Sequence, residues 1–123
     1  MMGGRGTFAS GNSGAYTYET VGFIEGVKVL QGIGGKHSLP EEAHSSSAYI
    51  KLKPDGTFHE VRFYDKDHYL ALEIAYHREP NLDRTMPNVL HYHTYDRTFG
   101  RSDAAKLTEE LYQRYKKYFK GVK

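Results

Sequence analysis

His91 and His93 stand one residue apart in the run VLHYHTY. On a strand both imidazoles point to one side, with Cα atoms about 6.5–7 Å apart. Such a pair can do two kinds of chemistry. As neutral ligands the rings reach one Zn²⁺ or Fe²⁺ at about 2.0–2.1 Å. His77 and Glu73, upstream, then complete a His₃ or His₂–carboxylate set. Without a metal, imidazoles that titrate near neutrality serve as general base and general acid. RNA cleavage needs that pair, one group for the 2′-oxygen and one for the leaving oxygen, plus cations for the phosphate. Arg62 and Lys51 can supply the charge, Arg62 in bidentate form. Tyr64 or Tyr95 can stack on a base or donate to the phosphate.

These side chains must be positioned by strands. SAYIKLK (47–53) alternates, Pro54-Asp55-Gly56 forms a turn, and TFHEVRFY (57–64) returns. Asp65-Lys66-Asp67 turns again into HYLALEIAY (68–76). After a polar loop, VLHYHTY (89–95) gives a fourth strand. Consecutive strands this close pair as an antiparallel meander. Upstream, YTYETVGFI and VKVL read as a hairpin about Glu25-Gly26. Residues 31–46 are Gly- and Ser-rich and read as a loop, and their GIGGKHS stretch lacks P-loop spacing. Downstream, Leu107, Leu111, Tyr115 and Tyr118 recur at helical spacing. Ser102, Asp103 or Thr108 can cap that helix, with Glu109 and Glu110 at its positive end.

Alternation sorts the strands into two faces. One takes Ala48, Ile50, Leu52, Val61, Phe63, Leu70, Leu72, Ile74, Leu90 and Tyr92, and the helix packs there. The other takes Tyr49, Lys51, Glu60, Arg62, Tyr64, Glu73, His77, His91, His93 and Tyr95. The expected fold is α+β, an antiparallel β-meander sheet with one C-terminal amphipathic helix on one face. His59 falls on the aliphatic parity, His68 follows a turn, and His37 and His44 sit in the loop. The basic end, RYKKYFKGVK, reads as a solvated helix face that complements the dipole.

The chain has 123 residues, 38% hydrophobic, with 11 Tyr, no Trp and no Cys. That suits one domain over 16–123, preceded by a disordered Gly-rich tail over 1–15. Without Cys there is no disulfide, thiolate metal site or Cys nucleophile. A net charge of +2 does not by itself imply nucleic acid. No apolar run is long enough to span a membrane, so no membrane partner is expected.

The M-G-G-R-G start, Y-E-T-V-G-x-I-E-G-V-K-V-L, P-E-E-x-H, F-Y-D-K-D-H, E-I-A-Y-H and V-L-H-Y-H together resemble a group of small phage and prophage proteins. Those are encoded near portal and head-morphogenesis genes. The resemblance implies a place in the bacterial host cytoplasm or on the virion. It implies an accessory protein whose partner is a phage or host protein, or RNA. More loosely the chain is similar to toxins of the barnase/EndoU/colicin/RelE-like ribonuclease superfamily, which place their helices before the meander rather than after it.

The leading expectation is a binding or assembly module that acts through the His/Tyr/Arg face, with no cofactor. Tyr49, Lys51, Tyr64 and Tyr95 are its contact residues. The enzymatic alternative is a metal-independent ribonuclease using His77, His91, His93, Glu73 and Arg62. The third reading is a Zn or Fe protein using His77, His91 and His93.

Overall fold

The computed structural model describes residues 18–32, 39, 47–98 and 100–122. The 1–15 tail, His37 and His44 lie outside the described residues. Seven strands pair in sequence order: β1 (Tyr18–Ile24), β2 (Val27–Gly32), β3 (Ala48–Leu52), β4 (Phe58–Tyr64), β5 (Leu70–His77), β6 (Val89–Thr94) and β7 (Ala105–Lys106). A short helix, α1 (Glu109–Tyr115), and a 3-10 turn (Lys116–Tyr118) follow. The architecture is α+β, as expected. All pairings are antiparallel except β2–β3, which is parallel.

The turns follow their residue types. Glu25 and Gly26 both have positive φ, at 51° and 81°, which matches the twist of a two-residue hairpin. Gly56 takes φ 89° and donates its N–H to Lys53 O at 2.8 Å. Asp65 Oδ1 accepts from the N–H groups of Asp67 and Tyr69, closing the next turn.

The helix side carries a core of Val29, Ile50, Phe58, Val61, Ile74 and Phe119. The helix is shorter than the periodicity predicts. Leu107 lies before it, and none of its seven residues is fully buried. Thr108 is the cap, its Oγ1 accepting from Leu111 N at 3.2 Å. The last turn tightens to 3-10 geometry and brings Phe119 onto Phe58, with ring centroids 4.9 Å apart. Phe58 N then donates to Lys120 O at 2.8 Å, joining the C-terminal segment to β4.

The opposite side also has a core. Tyr18, Leu30, Leu39, Tyr49, Tyr64 and Leu70 pack together, with Tyr95 against them. Leu70 is therefore not on the helix face that simple alternation gives it. The register steps from Phe63↔Leu72 to Tyr64↔Leu70, so Ala71 is an extra residue and Leu70 turns over.

Replacing Phe119 with Ala should cost about 3–5 kcal/mol in urea unfolding. Thr108→Ala should cost about 1 kcal/mol. A loss under about 1 kcal/mol for Phe119→Ala would show that the C-terminal segment is not part of the core.

Candidate functional site

Cross-strand register assembles the polar side chains in rows, because directly opposed residues share a face. One row runs Tyr49, Arg62, Glu73, His93 across β3 to β6. The next runs Lys51, Glu60, Ala75, His91, Lys106 across β3 to β7. His77, opposite Val89, lies one step further along. The candidate residues Arg62, Glu73, His77, His91 and His93 thus share one face, away from α1. Lys51 joins them there.

His59 joins them against its parity. Lys51 pairs with Glu60 but Leu52 pairs with Phe58, so His59 is an extra residue in β4. Phe58 then enters the helix-side core, and the His59 ring lies 5.6 Å from His77. His77 is 4.7 Å from His91, and His91 is 5.5 Å from His93. Four imidazoles therefore form a continuous row, each nearly perpendicular to the next. His59 and His77 are half-buried, and His91 and His93 are buried.

The Nδ1 atoms of His77, His91 and His93 meet the carbonyl oxygens of Arg78, Val89 and Ser102 at 2.9, 2.8 and 2.8 Å. A carbonyl only accepts, so each Nδ1 carries the hydrogen and each Nε2 is the free position. Burial, above all, pulls the His91 imidazole below its ordinary value, and its histidine neighbours add to this. His91 is then neutral near pH 7, with an Nε2 lone pair. His59 is pushed down to about 4, first by burial and then by Lys51.

Arg62 lies between two carboxylates. Its Nη2 is 2.9 Å from Glu73 Oε1, and its Nε donates to the same oxygen at 3.1 Å. Nη1 donates to Leu39 O at 2.8 Å, and Tyr95 Oη donates to Glu73 Oε1 at 2.9 Å. Glu60 Oε2 is also 3.2 Å from Nε. The single Nε hydrogen goes to Glu73, so Glu60 Oε2 has no hydrogen-bond partner. Burial, reinforced by Glu73, lifts the Glu60 carboxyl to about 7. Burial pulls the Arg62 guanidinium down, but the two glutamates outweigh it and leave it raised. Burial and Glu73 push the Tyr95 hydroxyl up to about 12.

This geometry corrects several expectations. Tyr49 and Tyr64 are packed in the core, edge to face with centroids 5.4 Å apart, so they do not form an open contact surface. Tyr95 is tied to Glu73. Arg62 is engaged by Glu73, Glu60 and Leu39 rather than set out for a phosphate. Among the described residues no three His, Asp or Glu side chains are arranged to hold a metal ion. His77, His91 and His93 are neighbours whose rings cross edge to face. Glu60 and His59 were not among the catalytic candidates. Parity already put Glu60 on this face, whereas nothing local in the sequence marks the bulge at His59.

Comparison of the chain with protein-family models, with curated proteins and with solved structures finds no match. Among the described residues no helix is long and apolar enough to cross a membrane.

The raised Glu60 carboxyl has a definite sign in stability. Between its ordinary 4.5 and about 7 the folded chain holds more protons at Glu60 than the unfolded chain. Its contribution is full below 4.5 and is lost as pH rises through about 7. His59, lowered from 6.5 to about 4, and His91, also lowered, act oppositely, contributing above the ordinary imidazole value and losing this as pH falls. Glu60→Gln removes only the first effect. From pH 5 to pH 8, its stability in urea unfolding should improve relative to wild type by up to roughly 3 kcal/mol. Parallel pH curves for the two proteins would show that Glu60 is ionised throughout.

Proposed function

We propose that the chain is a metal-independent acid–base phosphodiesterase that acts on RNA. The observation that supports this is a set of orphaned atoms. Among the described residues, Glu60 Oε2, His68 Nδ1 and His91 Nε2 are buried without a hydrogen-bond partner, and the residues of the first and last flank Ala75 in one cross-strand row. The Cα atoms of Glu60 and His91 are two strand spacings apart, about 9–10 Å. Glu60, Ala75 and His91 are buried, so in this reading a substrate comes to the acid and base from the half-open side at His59 and His77.

The roles follow from the environments. Neutral His91 takes the 2′-hydroxyl proton through Nε2. The 2′-oxygen attacks phosphorus, and the bond to the 5′-oxygen breaks. Glu60, protonated below about 7, gives its proton to that 5′-oxygen. The products are a 2′,3′-cyclic phosphate and a free 5′-hydroxyl. His77 stacks its edge on His91 and so positions it, and Glu73 holds Arg62 and Tyr95.

A second reading, a phage or prophage accessory protein that binds or assembles, has its own support. Val21 and Phe23 on β1 are exposed at 52% and 65%, unusual for large apolar side chains.

Cleavage of a labelled RNA oligonucleotide tests the first reading. Its pH–rate profile should be bell-shaped. The rate rises as His91 loses its proton below the usual imidazole range and falls as Glu60 loses its own through about 7. His91→Gln and Glu60→Gln should each lower kcat by roughly 10²-fold or more. Chelator should leave the rate unchanged. No cleavage by wild type, together with loss of a captured partner in Phe23→Ser, would favour the accessory reading.

A further inference from the structure

The C-terminal end carries charge of one sign. From Leu111 to Val122 there is no acidic residue, and Arg114, Lys116, Lys117 and Lys120 are all exposed. Arg114 is taken by Glu110, 3.2 Å away and one turn back in α1. The three lysines differ from it. α1 ends at Tyr115, so they stand in the 3-10 turn and just past it, not along a helix face. Among the described residues no carboxylate pairs with them, and Lys117 Nζ stands over the Tyr118 ring, 5.2 Å from its centroid. At about 2 Å per residue, the three lie within about 8 Å along the chain. The segment is fixed to the body of the protein. Phe119 is buried against Phe58, and Lys120 O accepts from Phe58 N at 2.8 Å. A Cβ on Gly121 would come within 3.2 Å of Thr57. Three unpaired cations are thus held close together on a packed surface.

We infer that this surface binds the backbone of a single-stranded nucleic acid. Cations this close suit an anion that brings several charges in line, and the phosphates of one strand do so. Tyr115 and Tyr118 alternate with the basic residues and are half-buried, their ring centroids 6.5 Å apart and their planes 26° from parallel. Unpaired bases can lie against such rings, and single-strand binding divides in this way between stacking and charge. An anionic membrane fits less well. Among the described residues the exposed large apolar side chains are Val21, Phe23 and Met86, and none belongs to this segment. Nothing there is suited to enter the acyl region. The surface lies on the helix side, away from the histidines, so the inference goes beyond the acid–base reading and does not require it. Phosphate contacts position the strand and carry no base preference.

Anisotropy of a labelled oligodeoxythymidylate tests this, since that strand lacks the 2′-hydroxyl and is not cleaved. Its affinity should fall with salt. Lys116→Gln, Lys117→Gln and Lys120→Gln should each flatten the log–log slope by about 0.7, and the triple variant by about 2. Lys66→Gln, in the exposed turn after β4, should leave the slope as in wild type. Urea unfolding of the triple variant should match wild type, because the three side chains are exposed. The single variants stand on their own if it does not. An abasic strand of the same length should bind about fivefold or more weakly. No binding of the oligomer by wild type, unchanged slopes in the lysine variants, or equal affinity for the abasic strand would overturn the inference. So would binding to phosphatidylserine vesicles, lost in the lysine variants, where no oligomer binds. Failure of the acid–base reading looks different. RNA would then stay uncleaved, while the salt slopes on the uncleavable strand would still decide whether the lysines bind phosphates.

Discussion

A guanidinium sits inside a sheet face, and the polar half of this protein is organised around it. Taking Arg62 out of water is costly unless its donors are met. Glu73 meets two of them, and the Leu39 carbonyl meets a third. Glu73 in turn accepts from Tyr95. Two negative groups beside one positive group leave one carboxylate in excess. Glu60, whose Oε2 gets no hydrogen, is that carboxylate, and the interior resolves the excess by holding its proton to about 7. The proposed general acid is thus a by-product of how Arg62 is satisfied. A second donor on Arg62 aimed at Glu60 would lower that carboxyl and remove its acid role.

The same constraint separates the two ends of the face. Toward Tyr64 and Leu70 the sheet is sealed by apolar packing, and the tyrosines there are core residues with their rings as the payload. Toward His59 and His77 it is half-open. His91 lies between, fully buried, with its Nδ1 tied to Val89 O. An imidazole held this way has its tautomer set by the backbone and its charge state set above all by burial.

Much of this was legible from period-two alternation. It placed Arg62, Glu73, His77, His91 and His93 on one face and Ile50, Val61 and Ile74 on the other, because antiparallel register preserves parity from strand to strand. Thr108 was one of the named caps. Three things were not legible. The parallel β2–β3 pairing joins strands separated by residues 33–47, so no short turn announces it. The burial of Tyr49 and Tyr64 depends on Leu39 arriving from that same connection. The length of α1 depends on Phe119 reaching Phe58, a contact set by the last tight turn and not by the stripe of Leu and Tyr.

The bulges show why parity alone falls short at a candidate site. A single extra residue in β4 inverts the parity of the strand below it, which sends Phe58 into the helix-side core and His59 toward His77. An extra residue in β5 does the same for Leu70, supplying the apolar plug beside Tyr64. Between the two irregularities the register is regular, and within that stretch Glu60, Arg62, Glu73 and Ala75 keep the alternation that brings them together. The bulges therefore bound the site. One closes it with apolar side chains, and the other lengthens its row of imidazoles toward solvent. The only small side chain in the central row is Ala75, fully buried between Glu60 and His91. A larger residue there would have to be packed into a fully buried position between the strands that carry Glu60 and His91, so the size of residue 75 matters to the proposed chemistry.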